Sequence, residues 1–321
     1  MLATRVRPPP RLAPPRPTRP RLLSVLSPPR SFSSVVSTMI GQHPEMYGFP
    51  ELHLIMAETV QDVLSRERTR GKFLGPPGVL RSLAELDAGE QTAERVFDAY
   101  NWLYARRHWS SKQVMDHLMD RVAATRAVPI CVEKSPSAAT HIRYLNRQER
   151  FYPNALYLHV TRHPLSSVSS MEEYAAHMPR LAGIRGLASA SGFAYWFICH
   201  RNIVTFTRAI PPERVLRVKG EDILSEPEIW LPKICRWAGV DDGAASVEAM
   251  LHPEASPYAG LGPANAKYGN DVKFVHSPKL RRGRVREGNL EEALSAAPLR
   301  DDITPEQKDH LLGMANFFGY R

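Results

Sequence analysis

The residues able to do chemistry in this sequence fall in a few short stretches. Pro29-Arg30-Ser31-Phe32-Ser33-Ser34 follows a short apolar run at 22–26 and precedes residues 35–40, which can start a helix. A strand, a tight hydroxyl-rich loop and a helix start together make an anion site. The first N–H groups of a helix have no partner within it, and the helix dipole favours negative charge there. Arg30 adds a permanent cation whose forked donors suit phosphate or sulfate oxygens. Arg162 stands at the exit of a second apolar run, with Ser170 eight positions on. Ser166 and Ser170 are four apart and share a helix face, so Arg162 can fork onto a phosphate that Ser170 also reaches. Ordinary strand-to-helix turns also carry Ser and Arg, and the run Ser166, Ser167, Ser169, Ser170 equally suits a helix packed closely on a sheet. Taken together, two anion sites on neighbouring strands suit a nucleotide phosphorylated at both ends of its ribose.

The elements that must hold these residues can be read from pattern. Apolar runs at 22–26, 128–134, 155–160 and 214–218 read as strands. Helical periodicity appears at 52–66, 92–106, 111–126, 137–147, 164–177, 191–209, 227–238, 246–251 and 304–317. Residues 41–51 and 71–90 are punctuated by Gly and Pro and read as connections, and 252–286 as a long irregular segment. Strands alternating with helices predict an α/β fold with a central parallel sheet flanked by helices. In such sheets ligands sit beyond the carboxyl ends of the strands. That rule puts 30–34, 134–136 and 162–164 on one edge.

Composition narrows the classes. Of 321 residues 43% are hydrophobic, enough for a sizeable core. The net charge of +9 is local: seven arginines lie in residues 1–30, no acid occurs before Glu45, and the remainder carries 35 basic against 33 acidic residues. The charge is therefore weak grounds for nucleic-acid binding and sufficient for an anionic nucleotide. Residues 1–20, dominated by Pro and Arg, read as a disordered tail, with 21–321 as one domain. Cys131, Cys199 and Cys235 lack metal or disulfide spacing and fit a reducing, cytoplasmic setting. No run approaches the ~18 apolar residues of a membrane span.

These motifs resemble those of sulfotransferases that use 3′-phosphoadenosine 5′-phosphosulfate (PAPS), in their bacterial and Golgi-type branch. The stretch 29–34 resembles the 5′-phosphosulfate loop, and Arg162 with Ser170 the 3′-phosphate motif. Glu133-Lys134-Ser135-Pro136 is similar to the family's Glu-Lys-Ser/Thr-Pro strand exit. Glu221-Asp222-Ile223 with Glu226-Pro227, and Tyr268-Gly269-Asn270-Asp271 with Lys273-Phe274 and Pro278, resemble later segments. The likeness runs in order over residues 22–321. It implies a P-loop-like fold, PAPS as co-substrate bound by Arg30, Ser31, Phe32, Ser33, Ser34, Arg162 and Ser170, and no metal. It further implies a general base at Glu51, with His53 as rival, and Lys134 neutralising charge on the bridging oxygen. A salt bridge to Glu133 or another acid is the plainer role for Lys134, and His159 reads as a buried, hydrogen-bonded strand residue. Phe32 stands where the related loop usually has Gly.

Two other classes remain open. A nucleotide-dependent kinase would share the strand–loop–helix, yet the Gly-x-x-x-x-Gly-Lys-Ser/Thr pattern is absent. A non-catalytic nucleotide-binding relative is favoured by Phe32 alone. The acceptor, whether small molecule, glycan, lipid or carrier-bound intermediate, has no readable code, although 67–125 and 252–286 are expected to shape its pocket.

Overall fold

The computed structural model describes residues 19–70, 76–176, 190–283, 288–296 and 302–320. In chain order the elements are β1 (Arg21–Leu26), α1 (Ser33–Gly41), β2 (Met46–Gly48), α2 (Val60–Arg70), α3 (Pro77–Ala88), α4 (Ala93–Ala105), α5 (Ser111–Arg126) and β3 (Ile130–Glu133). There follow α6 (Ile142–Phe151), β4 (Leu156–Thr161), α7 (Pro164–Ala176), α8 (Ala190–Thr207), β5 (Val215–Lys219), α9 (Gly220–Ser225) and α10 (Pro227–Ala238). The chain closes with α11 (Ala244–Met250), α12 (Val272–His276), α13 (Leu290–Ser295) and α14 (Pro305–Phe317).

The five strands form one parallel sheet in the order β2-β3-β1-β4-β5. Its central strands are buried on both faces, as a parallel sheet covered by helices requires. Alternate side chains of β1 feed two cores. Leu22 and Leu26 join α3, α4 and α5, while Leu23 and Val25 meet Val36, Met39 and Ile40 of α1 and Leu231 and Ile234 of α10. A third cluster joins Val168 of α7, Trp196 of α8 and Leu311, Phe318 and Tyr320 at the chain's end.

The fold departs from the sequence expectations in several places. No helix spans 52–66. His53 takes a left-handed φ of 54°, Leu54–Met56 form one 3-10 turn, and Ala57 is extended. Thr59 then exchanges capping bonds with Asp62, so α2 begins at Val60. Glu51 consequently lies in a loop and not at a helix start. Part of the 71–90 connection is helical: Pro77 sits in the first turn of α3, where proline is favoured, and Gly89 closes it in the left-handed conformation. The expected helix at 137–147 is broken at extended His141. Before the break, Asn202 holds the carbonyls of Ala139 and Thr140 in a 3-10 turn. The 41–51 loop contains β2. Residues 1–18 of the expected tail lie outside the described residues, but Arg19 is paired with Asp116 and Asp120 of α5 and Pro20 is buried. The folded chain therefore starts earlier than residue 21.

Candidate functional site

Every strand that carries an expected site residue ends at the same sheet edge. A cleft of about 780 Å³ opens there, lined by Arg30, Ser31, Phe32, Ser33, Ser34, Glu51, Arg162 and Ser170. The turn after β1 forms its floor. Arg30 and Phe32 both adopt the left-handed region, at φ 67° and 62°, and Phe32 is the N-cap of α1 without any side-chain cap. The first N–H groups of α1 therefore face the cleft unclaimed by a capping side chain. Ser31 Oγ lies 3.4 Å from Ser167 Oγ, tying the loop to α7.

Lys134 follows β3 and is fully buried. Its ammonium donates to Ser34 Oγ at 2.8 Å, Glu51 Oε1 at 2.5 Å and Asn270 Oδ1 at 3.1 Å. All three of its protons are thus engaged, and its ion-pair partner is Glu51. Glu133 points to the other side of β3 and takes a hydrogen bond from Ser135 Oγ. Ser135 Oγ in turn accepts from the His53 N–H at 2.9 Å. The Glu133-Lys134-Ser135 motif as a whole therefore fastens the 51–53 loop.

Glu51 has His53 Nε2 at 3.2 Å on its second oxygen. Burial alone would raise its carboxyl, but the Lys134 charge and the His53 contact outweigh it and hold the group at about 2. Burial pushes the Glu133 carboxyl the other way, upward.

At the opposite end, Arg162 follows β4. Its Nη1 donates to the Arg30 carbonyl at 2.6 Å, and its guanidinium lies 4.1 Å from the centre of the Phe32 ring. Burial lowers its pKa to about 10. Arg30 Nε reaches Ser170 Oγ at 3.2 Å and its Nη1 pairs with Asp271, with the Tyr174 ring 5.1 Å away. The structure thus brings Ser170 to Arg30, while Arg162 and Ser170 line the same cleft without a bond between them. His159 is buried between His200 and Arg217, as expected, and takes no part in the cleft.

Sequence motifs assign no role to Tyr174, Asn270 or Asp271, all of which line the cleft. Tyr174 lies four positions after Ser170 on one helix face, a spacing that could have revealed it. Asp271 caps α12 through the Lys273 and Phe274 N–H groups, and only the fold shows that its carboxylate also meets Arg30. Among the described residues no group of three or more His, Cys, Asp or Glu side chains could hold a metal ion. No described helix is long and apolar enough to cross a membrane.

The model of the sulfotransferase family matches residues 23–243, more than half of the chain and every expected site residue. The chain belongs to the sulfotransferase family. Two solved sulfotransferase domains share its fold over nearly their whole length. One, from the curacin biosynthetic pathway, superposes with a TM-score of 0.70 at 23% identity, covering 94% of this chain and 98% of that one. The other, from the olefin synthase of Synechococcus PCC 7002, gives 0.67 at 25% identity, covering 96% and 98%. No curated protein sequence matches the chain. In this sulfotransferase, then, the sheet edge that carries the cleft is also the edge the family's motifs occupy.

Proposed function

We propose that this sulfotransferase takes its sulfuryl group from 3′-phosphoadenosine 5′-phosphosulfate and passes it to a hydroxyl or amine, with Glu51 as general base. What carries the proposal is the division of one cleft into two ends. Partly buried Arg162 and Arg30 stand over an uncapped helix start at one, and a Lys134–Glu51 ion pair stands at the other. The cationic end suits the two phosphates of the donor, with Ser31, Ser33, Ser34 and the α1 N–H groups on the 5′ side and Arg162 with Ser170 on the 3′ side.

In the transfer, a bond forms between the acceptor oxygen or nitrogen and sulfur as the bond from sulfur to the 5′-phosphate oxygen breaks. The acceptor proton passes to Glu51, and adenosine 3′,5′-bisphosphate leaves. Lys134 is shared between these events. Held by Glu51, it keeps the carboxylate ionised but only weakly basic. As negative charge grows on the bridging oxygen, Lys134 turns toward it, and Glu51 gains basicity when the acceptor must lose its proton. Positioning and charge stabilisation carry the rest of the rate enhancement.

The acceptor is a hydroxyl or amine of a small molecule, glycan, lipid or carrier-bound intermediate. Transfer of label from the phosphosulfate donor, assayed across such acceptors, tests the activity. Adenosine 3′,5′-bisphosphate should raise the melting temperature, as a native-state ligand does, well above any effect of ATP with magnesium. Equal stabilisation by both nucleotides would count against the donor assignment and for a kinase-like site.

A further inference from the structure

Phe32 occupies a backbone conformation that suits glycine, and its ring faces a partly buried cation. The left-handed region is strained for an L-residue, and Phe32 sits there at φ 62°. The related loop usually carries Gly at this position, which avoids that strain. The ring is not left loose. A Cβ built on Gly220 would come within 2.7 Å of Phe32 Cδ2, so the absence of a side chain after β5 is what admits the ring. Its face then meets the Arg162 guanidinium at 4.1 Å.

Arg162 needs that support because the described residues give it no carboxylate within ion-pair distance. Glu221, the nearest source of negative charge, has both oxygens occupied. One accepts from the His163 N–H at 2.8 Å and the other from Tyr320 OH at 2.9 Å. Arg162 Nη1 bonds to the Arg30 carbonyl, and its buried Nε has no hydrogen-bond partner among the described residues. The carbonyl of Arg162 is fixed by the Trp196 indole N–H at 3.0 Å, which holds the backbone but leaves the guanidinium free to turn. A ring face attracts a cation and is flat enough to set the plane of the fork.

We infer that Phe32 is a positioning residue for nucleotide recognition. Its ring holds the Arg162 fork in the plane that reads the donor's 3′-phosphate, a task a glycine at this position could not perform. The inference rests on the proposal that Arg162 reads that phosphate.

The test is the ratio of affinities for adenosine 3′,5′-bisphosphate and adenosine 5′-phosphate, measured by titration calorimetry on the full chain. Phe32→Leu should lower the ratio by roughly 3–30-fold, the range of a desolvated cation–π contact. Phe32→Tyr, which keeps the ring face, should keep the ratio. Phe32→Gly removes the backbone strain, so a lowered ratio there cannot come from a loop that fails to form. Gly220→Ala, which crowds the ring at Cδ2, should lower the ratio as well. In an Arg162→Ala background, Phe32→Leu should have no further effect. If Arg162→Ala abolishes the ratio while Phe32→Leu and Phe32→Gly preserve it, Phe32 is not the positioning residue. If Arg162→Ala leaves the ratio intact, the assignment of Arg162 itself falls.

Discussion

The two ends of the cleft treat a cation withdrawn from solvent in opposite ways. Lys134 has three acceptors for its three protons, one of them a carboxylate, so its charge is neutralised within the protein. Arg162 has one carbonyl, one aromatic face and an unpartnered Nε among the described residues. A buried charge without a counterion is costly, and a fold keeps one where an anion from outside completes it. The contrast separates an end whose electrostatics are settled before any ligand arrives from an end that is incomplete without one. Arg30 stands between the two, borrowing Asp271 as a stand-in for that anion.

The largest expected effect comes from breaking the settled end. Glu51→Gln keeps the shape and removes the charge that balances Lys134. It should slow turnover by ~10²–10⁴-fold, the usual share of general-base catalysis, while donor binding persists. If the variant turns over at near the native rate while His53→Ala is inactive, His53 is the base. A carboxylate held at about 2 leaves kcat/KM without an acid limb down to about pH 4.

The same end can be shifted without changing its charges. A Cβ on Gly78 would lie 2.0 Å from the Glu51 carbonyl oxygen, a backbone contact with no flexible side chain to yield. Gly78→Ala should cost about 1–3 kcal/mol in denaturant unfolding, as overpacking does. It should also lower kcat more than donor affinity, because it moves the 51–53 loop and not the loop after β1. Equal loss of both would show that the two ends are mechanically coupled.

Acid should erase part of the contrast. Glu51 is depressed from 4.5 to about 2, so its contribution to stability is complete above the ordinary carboxylate range. That contribution is lost as the pH falls through 4.5 toward 2. Unfolding free energies of the native chain and Glu51→Gln should therefore converge over that window, by on the order of 3 kcal/mol at most. A gap that stays constant from pH 6 to pH 3 would mean that Lys134 does not hold Glu51 ionised.

The smallest effect belongs to Arg30. Asp271→Asn retains a side-chain acceptor to cap α12 but no longer offers a charge to compete for Arg30. Nucleotide affinity should rise by a few-fold, since a partly exposed pair contributes up to about 1 kcal/mol. A fall in affinity would mean that Asp271 orients Arg30 for the ligand instead of standing in for it.

Local pattern was enough to place β1, β3, β4 and β5, the helices at 93–105, 111–126 and 305–317, and the loops that follow β1 and β4. Apolar runs, capping residues such as Ser110 and Thr304 and the first-turn Pro305 act over a few residues, so they can be read without the rest of the chain. Residues 52–59 of the expected 52–66 helix have helical apolar spacing yet are not helical beyond one 3-10 turn. What breaks it is non-local: Ser135 claims the His53 N–H, Ser111 takes the Glu58 carbonyl, and Thr59 bridges to Ser110. The ionisation of Glu51 could be expected from a helix start, yet its cause is Lys134, 83 positions away.

The sequence by itself determined which groups stand at the carboxyl edge of the sheet, because a parallel α/β sheet delivers the residue after each strand to that edge whatever the packing. It also determined that the loop after β1 could bind an anion. Only the tertiary structure decided how the charges there are shared. That Lys134 is neutralised by Glu51, that Asp271 meets Arg30, and that Phe32 takes a glycine's conformation to face Arg162 all depend on side chains brought together across the fold. Charge balance at a buried site is a sum over neighbours in space. Those neighbours come from segments that the sequence does not set side by side.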